Sequence, residues 1–271
     1  MEYETLKNIA NQIRQDIIKM LTEAGSGHTG GSLGMADIFT ALYFSVANID
    51  PKKPGWENRD KIVLSNGHIC PVLYATLARR GFFPLAKLKT LRKLGSPLQG
   101  HPHYGELPGV ENSGGPLGQG ISQAVGMALA AKLDKKTHRI FCLMSDGELN
   151  EGQCWEAFLL AAKHKLDNLI IIVDRNKIQL SGATEDILPL EPLKEKFQSF
   201  GLETLEVNGH NLEEITEILE KAKNFIGRPI VIIAHTILGQ GVSFMENDYH
   251  WHGKAPNKEE SERALKELER D

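Results

Sequence analysis

Two oxygen-bearing side chains follow two apolar runs in the middle of the chain. Residues 139–182 read as an apolar run ending in Asp146-Gly147, a helical pattern, and a second apolar run that ends just before Asn176. A right-handed crossover makes the two strands parallel, so both side chains are expected at the carboxyl edge of one sheet, where α/β sheets bind ligands. A carboxylate and an amide oxygen suit a hard cation such as Mg²⁺, which keeps water and phosphate oxygens in its shell. The spacing therefore predicts a metal-bound diphosphate, with a helix cap at Asp146 and a turn at Asn176 as the structural alternatives.

Four histidines stand in separate glycine-bearing loops of the chain, at His28, His68, His101 and His252. The neutral and charged forms of imidazole interchange near neutral pH, which suits proton handling in a site. Each histidine could also be an ordinary turn or helix-start residue. Spacing alone slightly favours a turn at His28, whereas the repetition of a strand followed by glycine and histidine favours a site at His68. His250 and His252 form a His-x-His pair, which is only a weak zinc motif without further ligands nearby.

Residues 97–120 form a long segment with seven glycines and four prolines. Long structureless loops in compact domains are usually functional. Its last part, G-G-P-L-G-Q-G, leads directly into a helix of small residues predicted over 121–132. Such a turn exposes backbone N–H groups that can meet an anion or cofactor, although it is equally compatible with tight helix packing.

The elements that must position these residues alternate between strand and helix patterns throughout the chain. Strands are predicted at 61–64, 203–207 and 229–235 besides the two of the central unit, a connection followed by a helix within 184–200, and helices at 6–21, 32–46, around 74–77, 121–132, 211–221 and 257–271. No linker, repeat or low-complexity segment interrupts the alternation. The sequence predicts an α/β fold with a central, mostly parallel sheet and helices on both faces.

Composition excludes several classes of protein. The 271 residues are 41% hydrophobic and 24% charged, and a net charge of -4 gives no overall attraction to nucleic acid or to an anionic membrane. No apolar run is long enough for a transmembrane helix, and the first residues lack the pattern of a signal peptide. Three cysteines without metal-like spacing fit a reducing compartment. A soluble cytoplasmic protein is expected, with neither nucleic acid nor membrane as a partner.

Several of these motifs together resemble one enzyme family. The Asp-Gly after a strand, the Asn about thirty residues later and the helix between them look like the thiamine diphosphate motif. N-E-G followed by W-E-A, together with the S-G-H, G-H-P, G-P-L-G-Q-G and W-H-G elements, resembles the amino-terminal half of transketolases. Ser145 departs from the pattern, because a glycine commonly precedes the aspartate. The resemblance covers essentially the whole chain but only about the first half of the family's architecture.

The resemblance implies a role for particular residues. Magnesium, or calcium or manganese in its place, would be held by Asp146, Asn176 and the carbonyl of Ile178. His28, His68, His101 and His252 would surround the thiazolium and the sugar hydroxyls as catalytic residues. The cofactor-binding set would be His68, Gly115, Leu117, Asp146, Gly147, Glu151, Asn176, Ile178, Leu180 and His252. Glu151 and Glu156 would face a subunit interface, with solvent-exposed helix-start charge as the structural alternative.

The resemblance also implies that residues 1–271 are a single diphosphate-binding domain of a thiamine diphosphate-binding fold. The family's pyrimidine-binding domain, with its activating glutamate, and its carboxyl-terminal domain would then lie on another chain. We therefore expect the amino-terminal subunit of a split transketolase, paired with a carboxyl-terminal subunit in an α2β2 assembly. It would transfer a two-carbon ketol unit between sugar phosphates, in the pentose phosphate pathway by default, while sugar acids, branched sugars and sulfonated sugars stay open. The alternatives are a subunit of a deoxyxylulose-phosphate synthase-like enzyme and a noncatalytic, cofactor-binding regulatory subunit.

Overall fold

A five-stranded parallel sheet organises the computed structural model, which describes residues 2–269. Its strands are β1 (Lys61–Leu64), β2 (Ile140–Ser145), β3 (Leu169–Asp174), β6 (Glu203–Asn208) and β7 (Ile230–His235), and a separate antiparallel hairpin consists of β4 (Ile178–Gln179) and β5 (Gly182–Ala183). The spatial order in the large sheet is β1-β2-β3-β7-β6, and every neighbouring pair is parallel. The predicted α/β fold with a parallel central sheet is confirmed.

Ten α-helices and several shorter turns surround the sheet within the described residues. The α-helices are α1 (Tyr3–Ala24), α2 (Gly30–Gly34), α3 (Ala36–Ala41), α4 (Cys70–Arg80), α5 (Gln119–Leu133), α6 (Gly152–Lys163), α7 (Thr184–Ile187), α8 (Leu193–Ser199), α9 (Leu212–Asn224) and α10 (Lys258–Leu268). A π-helical turn covers Leu42–Val46, and 3-10 turns cover Gly67–Ile69, Leu85–Thr90, Gly147–Asn150 and Tyr249–Trp251. Over residues 2–269, none of these helices has the length and apolar character needed to cross a membrane.

Strand alternation divides the interior into two apolar cores. In β2, Phe141 and Leu143 face the core that α1, α3, α4, α9 and α10 cover, whereas Cys142 and Met144 face the core beneath α5, α6 and α8. All four side chains are fully buried. Both faces of the sheet are therefore covered, which explains why its central strands are continuously apolar.

The register of β2 and β3 places the polar strand ends beside each other. Ser145 pairs with Asp174, and the backbone N–H of Asp146 donates to the carbonyl of Asp174 at 3.1 Å. Asn176 follows two residues after β3 at the same edge. The predicted βαβ unit is therefore present as expected, and its two oxygen donors reach one edge of the sheet.

Two segments differ from the sequence expectation. The single helix predicted over 32–46 is instead α2, α3 and the π-helical turn, because the chain bends at Met35. Gly34 lies against the 237–238 loop, where a Cβ would come within 2.7 Å of the carbonyl oxygen of Ile237. No sequence pattern predicts the β4–β5 hairpin. The last helix is confirmed from Lys258 to Leu268, and its predicted extension over 270–271 lies outside the described residues.

Candidate functional site

A cavity of about 280 Å³ opens at the carboxyl edge of the sheet, between β1, β2 and β3 and the loops that cross them. Most of the residues predicted for the site line it: His28, His68, His252, Gly115, Leu117, Gly147, Asn176, Ile178 and Leu180. Gly31, Ser145, Glu148 and Gln179 complete the lining. The structure therefore brings together loops that are more than two hundred residues apart in the chain.

Three imidazole rings form a triangle on one wall of this cavity. The ring centroids of His28 and His68 are 5.1 Å apart, those of His28 and His252 are 5.7 Å apart, and those of His68 and His252 are 5.3 Å apart. The buried Nδ1 of His28 has no hydrogen-bond partner among the described residues. A buried polar atom without a partner is costly, so this nitrogen is available for a bound group.

Contacts between the loops hold the histidines in place. The hydroxyl of Thr29 donates to the carbonyl of Lys254 at 2.6 Å, which joins the His28 loop to the His252 loop. The glycine-rich loop packs directly on the His68 turn, since a Cβ on Gly67 would come within 2.9 Å of the backbone nitrogen of Gly115. Only glycine fits this close backbone approach. Gly115 itself has a φ of 144°, a conformation that disfavours a side chain at the cavity wall.

Burial keeps the four predicted histidines in their neutral form. Desolvation is the main cause in each case, and it lowers the pKa of His28 to about 4, assisted by His252, Arg92 and His101. The pKa of His68 is held well below its usual range, and those of His101 and His252 are lowered. At neutral pH each uncharged ring offers one donor and one acceptor nitrogen, which suits hydrogen bonding to sugar hydroxyls.

The lowered pKa of His28 predicts a loss of stability in mild acid. The unfolded chain binds this proton near pH 6.5 and the folded chain only near pH 4, so unfolding is favoured as the pH falls between these values. Relative to His28→Asn, the wild type should lose about 1 to 2 kcal/mol more of its free energy of unfolding between pH 7 and pH 5. Denaturant titrations at both pH values measure this difference.

His103→Asn is the matched control, because the side chain of His103 is 56% exposed and lies outside the cavity. Equal losses of stability in the wild type and in His28→Asn would contradict the prediction.

Asp146 lies beneath the cavity and accepts three hydrogen bonds. Its Oδ1 accepts from the backbone N–H of Gly147 at 2.7 Å, and its Oδ2 accepts from Lys177 N–H at 2.7 Å and from Arg175 Nη1 at 3.0 Å. Burial raises the pKa of Asp146, against the opposing effect of Arg175 and of the two backbone donors. The carboxylate is thus buried at the point where the sequence predicts a cation.

Asn176 lines the cavity next to this carboxylate. Its Oδ1 accepts from the backbone N–H of Ile178 at 2.9 Å, and its Nδ2 donates to Asp174 at 3.0 Å. The side-chain amide is thereby oriented with its oxygen toward the Ile178 peptide. Within residues 2–269, no cluster of three or more His, Cys, Asp or Glu side chains forms a metal site. The predicted donor set, which relies on an amide and a carbonyl oxygen, stays a prediction.

Three of the predicted site residues do not line the cavity. Besides Asp146, these are His101, whose Cγ would be 3.9 Å from a Cβ on Gly115, and Glu151, which is exposed at the start of α6. Glu156 is exposed one turn further along α6. The exposure of both glutamates is compatible with the predicted subunit interface.

Glu148 is a buried acid of the cavity that the motif comparison did not identify. Its Oε1 accepts from Gly118 N–H at 2.6 Å and from the Ser65 hydroxyl, and its Oε2 accepts from Ser145 N–H at 3.3 Å. It therefore ties the glycine-rich loop to the ends of β1 and β2. Burial raises the pKa of Glu148 to about 7. Its place directly after Asp146-Gly147 was visible in the sequence, but its contacts with distant loops were not.

The chemistry of the cavity fits thiamine diphosphate. Apolar side chains of Leu117, Ile178 and Leu180 line one part, and neutral imidazoles line another, as expected of a ligand pocket with a few polar anchors. His28 Nδ1, which has no hydrogen-bond partner among the described residues, offers a polar atom to a bound ring. Gly115, which has no side chain, leaves space for that ring at the cavity wall.

Comparison with known proteins identifies the same cofactor. The family model described as "Transketolase, thiamine diphosphate binding domain" matches residues 5–269. The chain is similar to a 6-deoxy-6-sulfo-D-fructose transketolase subunit of Clostridium sp. (strain MSTE9), with 42% identity over 98% of this chain and 97% of the relative. It is 43% identical to an apulose-4-phosphate transketolase subunit of Actinobacillus succinogenes, over 99% of this chain and 97% of the relative.

A solved structure supports the same relationship at the level of the fold. The crystal structure of transketolase from Campylobacter jejuni superposes with a TM-score of 0.93 at 38% identity, and the match covers 99% of this chain but 43% of that one. The chain thus corresponds to less than half of a longer transketolase, while it spans nearly all of the two subunit-type relatives. It belongs to the transketolase family, as a thiamine diphosphate-binding domain of the kind those relatives have as a separate subunit.

Proposed function

We propose that this chain is the diphosphate-binding subunit of a transketolase that works only with a second, pyrimidine-binding subunit. The observation that carries the proposal is the cavity at the sheet edge, which combines three neutral imidazoles with an apolar wall and adjoins the buried carboxylate of Asp146. The end-to-end match to relatives named as subunits supports the division between two chains. Residues 1–271 form a single domain in this proposal.

Thiamine diphosphate supplies the stabilisation of carbanions that a ketol transfer requires. The residues of this chain bind and orient the reactants. Asp146, Asn176 and the Ile178 carbonyl would hold a Mg²⁺ ion with the diphosphate, since hard oxygen donors suit that cation. Gly147 and Gly115 leave the backbone open to the cofactor, and Glu151 at the start of α6 faces the partner chain.

The histidines handle protons at the sugar hydroxyls. His28, His68 and His252 are neutral and close enough to act on one substrate, and His101 stands beside them on the loop that packs against the glycine-rich turn. A neutral imidazole can accept a proton from a hydroxyl at one nitrogen while it donates from the other. Leu117 and Leu180 give the same region an apolar wall.

The donor substrate that we propose is a ketose with an anionic group at its far end. The two subunit-type relatives bear the names of a sulfonated ketose and of a phosphorylated branched ketose. These fall within the branched and sulfonated sugars that the sequence leaves open, and they are favoured over the pentose phosphate default.

The α2β2 assembly and a cytoplasmic location belong to the proposal, the latter supported by three cysteines that are all free and buried.

Reconstitution tests the proposed function. The chain would be purified alone and together with a subunit that has the pyrimidine-binding domain, and transfer from 6-deoxy-6-sulfofructose, apulose 4-phosphate and xylulose 5-phosphate to an aldose phosphate would be measured. Transfer is expected only in the presence of both chains, thiamine diphosphate and Mg²⁺. Full activity of this chain by itself, or consumption of pyruvate by the reconstituted pair, would exclude the proposed function.

A further inference from the structure

One buried arginine joins the predicted metal ligand to the loop that forms the apolar wall of the cavity. The side chain of Arg175 is 1% exposed and has four polar partners. Nη1 donates to Asp146 Oδ2 at 3.0 Å and to the Thr184 hydroxyl at 2.7 Å, and Nη2 donates to Glu185 and Glu191 at 2.8 Å each. A single guanidinium therefore contacts both the floor of the site and the far end of the following loop.

This loop, residues 177–191, begins shortly after β3 and returns to Arg175 at Glu191. It contains the β4–β5 hairpin and α7, and its first half closes where Thr184 N–H donates to the Lys177 carbonyl at 2.9 Å. Ile178 and Leu180, at its start, line the cavity. Thr184 is the only fully buried residue in the segment 179–189, and the loop packs into the core beneath α5, α6 and α8 only near its end, at Leu190, so few apolar contacts hold its middle. Local elements of this kind open easily unless polar contacts fix them.

The planar, multiply donating guanidinium of Arg175 matters for these contacts as much as its positive charge does. Arg175 faces three carboxylates and one hydroxyl, and its planar fork donates to all four in fixed directions, which a lysine ammonium cannot do. Glu185 and Glu191 are 39% and 54% exposed, so the outer half of the contact reaches the surface. The inner half, with Asp146, is fully buried.

We propose that Arg175 is a positioning residue that fixes the 177–191 loop as a wall of the cofactor cavity and at the same time orients Asp146 toward the cavity. Outer contacts of this type commonly set the affinity of a ligand site without touching the ligand. Only the second part of this inference, the orientation of Asp146 for cofactor binding, rests on the proposed function. The first part, the ordering of the 177–191 loop, is a property of this chain alone.

Hydrogen exchange of the full chain tests the first half. Arg175→Lys keeps the charge but loses the fork, and it is expected to speed amide exchange in residues 177–191 at least about tenfold while the rest of the chain is unchanged. Arg228→Lys is the matched control, since Arg228 pairs with the carboxylate of Glu203 at the surface, at 2.5 Å. The double variant Glu185→Ala with Glu191→Ala removes the exposed partners of Arg175, together with the hydrogen bonds that these carboxylates accept from the N–H groups of Leu190, Glu191 and Leu193, so it should speed exchange in the same segment.

Calorimetry of the reconstituted complex with thiamine diphosphate and Mg²⁺ tests the second half. Arg175→Lys is expected to raise the dissociation constant about 10- to 100-fold, and the double glutamate variant less, because it leaves the contact between Arg175 and Asp146 intact. Unchanged exchange in 177–191, a uniform rise over the whole chain, or an unchanged dissociation constant would overturn the inference. A wild-type complex that binds no thiamine diphosphate would instead refute the proposed function, and the exchange result would then decide the role of Arg175 in ordering the loop.

Discussion

Replacing Asp146 with alanine is expected to lower the affinity of the reconstituted complex for thiamine diphosphate and Mg²⁺ at least about 100-fold, and to abolish ketol transfer with it. Loss of an outer contact of a metal ligand already costs about 10- to 100-fold in affinity, so the ligand itself should cost more. Asp146 is buried and adjoins Gly147 at the cavity, and its carboxylate is the only acidic group that the predicted donor set contains. Calorimetry at fixed Mg²⁺ measures the change in affinity.

Two further variants separate this effect from a loss of fold. Asp146→Asn keeps the volume and can still accept from Arg175, although its amide NH2 would then face the Gly147 N–H, so it should lower the melting temperature less than Asp146→Ala does while it binds the cofactor poorly. Asp186→Ala, at an exposed position of α7, removes a carboxylate outside the cavity and should bind the cofactor like the wild type. Normal cofactor affinity in a folded Asp146→Ala complex would show that the predicted metal ligand is wrong.

Replacing His252 with alanine is expected to reduce kcat/KM for ketol transfer about 10²- to 10⁴-fold, the usual contribution of one positioned acid–base group. The ring lies 5.3 Å from that of His68 and 5.7 Å from that of His28, so its removal breaks the triangle of rings that lines the cavity. Burial lowers the pKa of His252, and the neutral ring is the form that can accept a proton at pH 7. Steady-state kinetics of the reconstituted complex measures the effect.

His250 provides a matched control only two residues away. Its side chain is 66% exposed and its Nδ1 contacts Asp248 at 2.6 Å, away from the cavity lining. His250→Ala should therefore leave kcat/KM within about twofold of the wild type, because exposed side chains outside a site rarely contribute to it. A loss of activity that is the same in both variants would contradict the assignment of His252 to the site.

The parts of the site that could be predicted are those that a local pattern determines. The βαβ unit places Asp146 and Asn176 at one edge because the handedness of the crossover and the parallel register leave little choice. Each histidine loop was recognisable because glycine and histidine follow the end of an element. The resemblance to a family then predicted that these loops share one cavity. In the structure, three of the four histidine rings line it.

The contacts that could not be predicted depend on how loops return to the sheet. Arg175 lies between Asp174 and Asn176 in the sequence and is easily noticed there. Its partners Glu185 and Glu191 lie in an irregular loop whose path no periodic pattern predicts. Glu148 likewise meets Gly118 and Ser65 from parts of the chain far away in sequence. The bend that divides the predicted helix 32–46 arises from packing against the 237–238 loop, which is a tertiary effect.

The parallel sheet also has a consequence for how the chain reaches its native state. Strand β3 pairs with β7, where Ile170 lies opposite Ile230, and β1 pairs with β2, where Lys61 lies opposite Ile140. Every such pairing closes a long loop before it gains any contact, so folding is expected to be slow. During synthesis one edge of β3, which is apolar except for its last residue, Asp174, stays unpaired until the ribosome has made β7, and open apolar edges invite aggregation. Slow synthesis at low temperature should therefore raise the yield of folded chain.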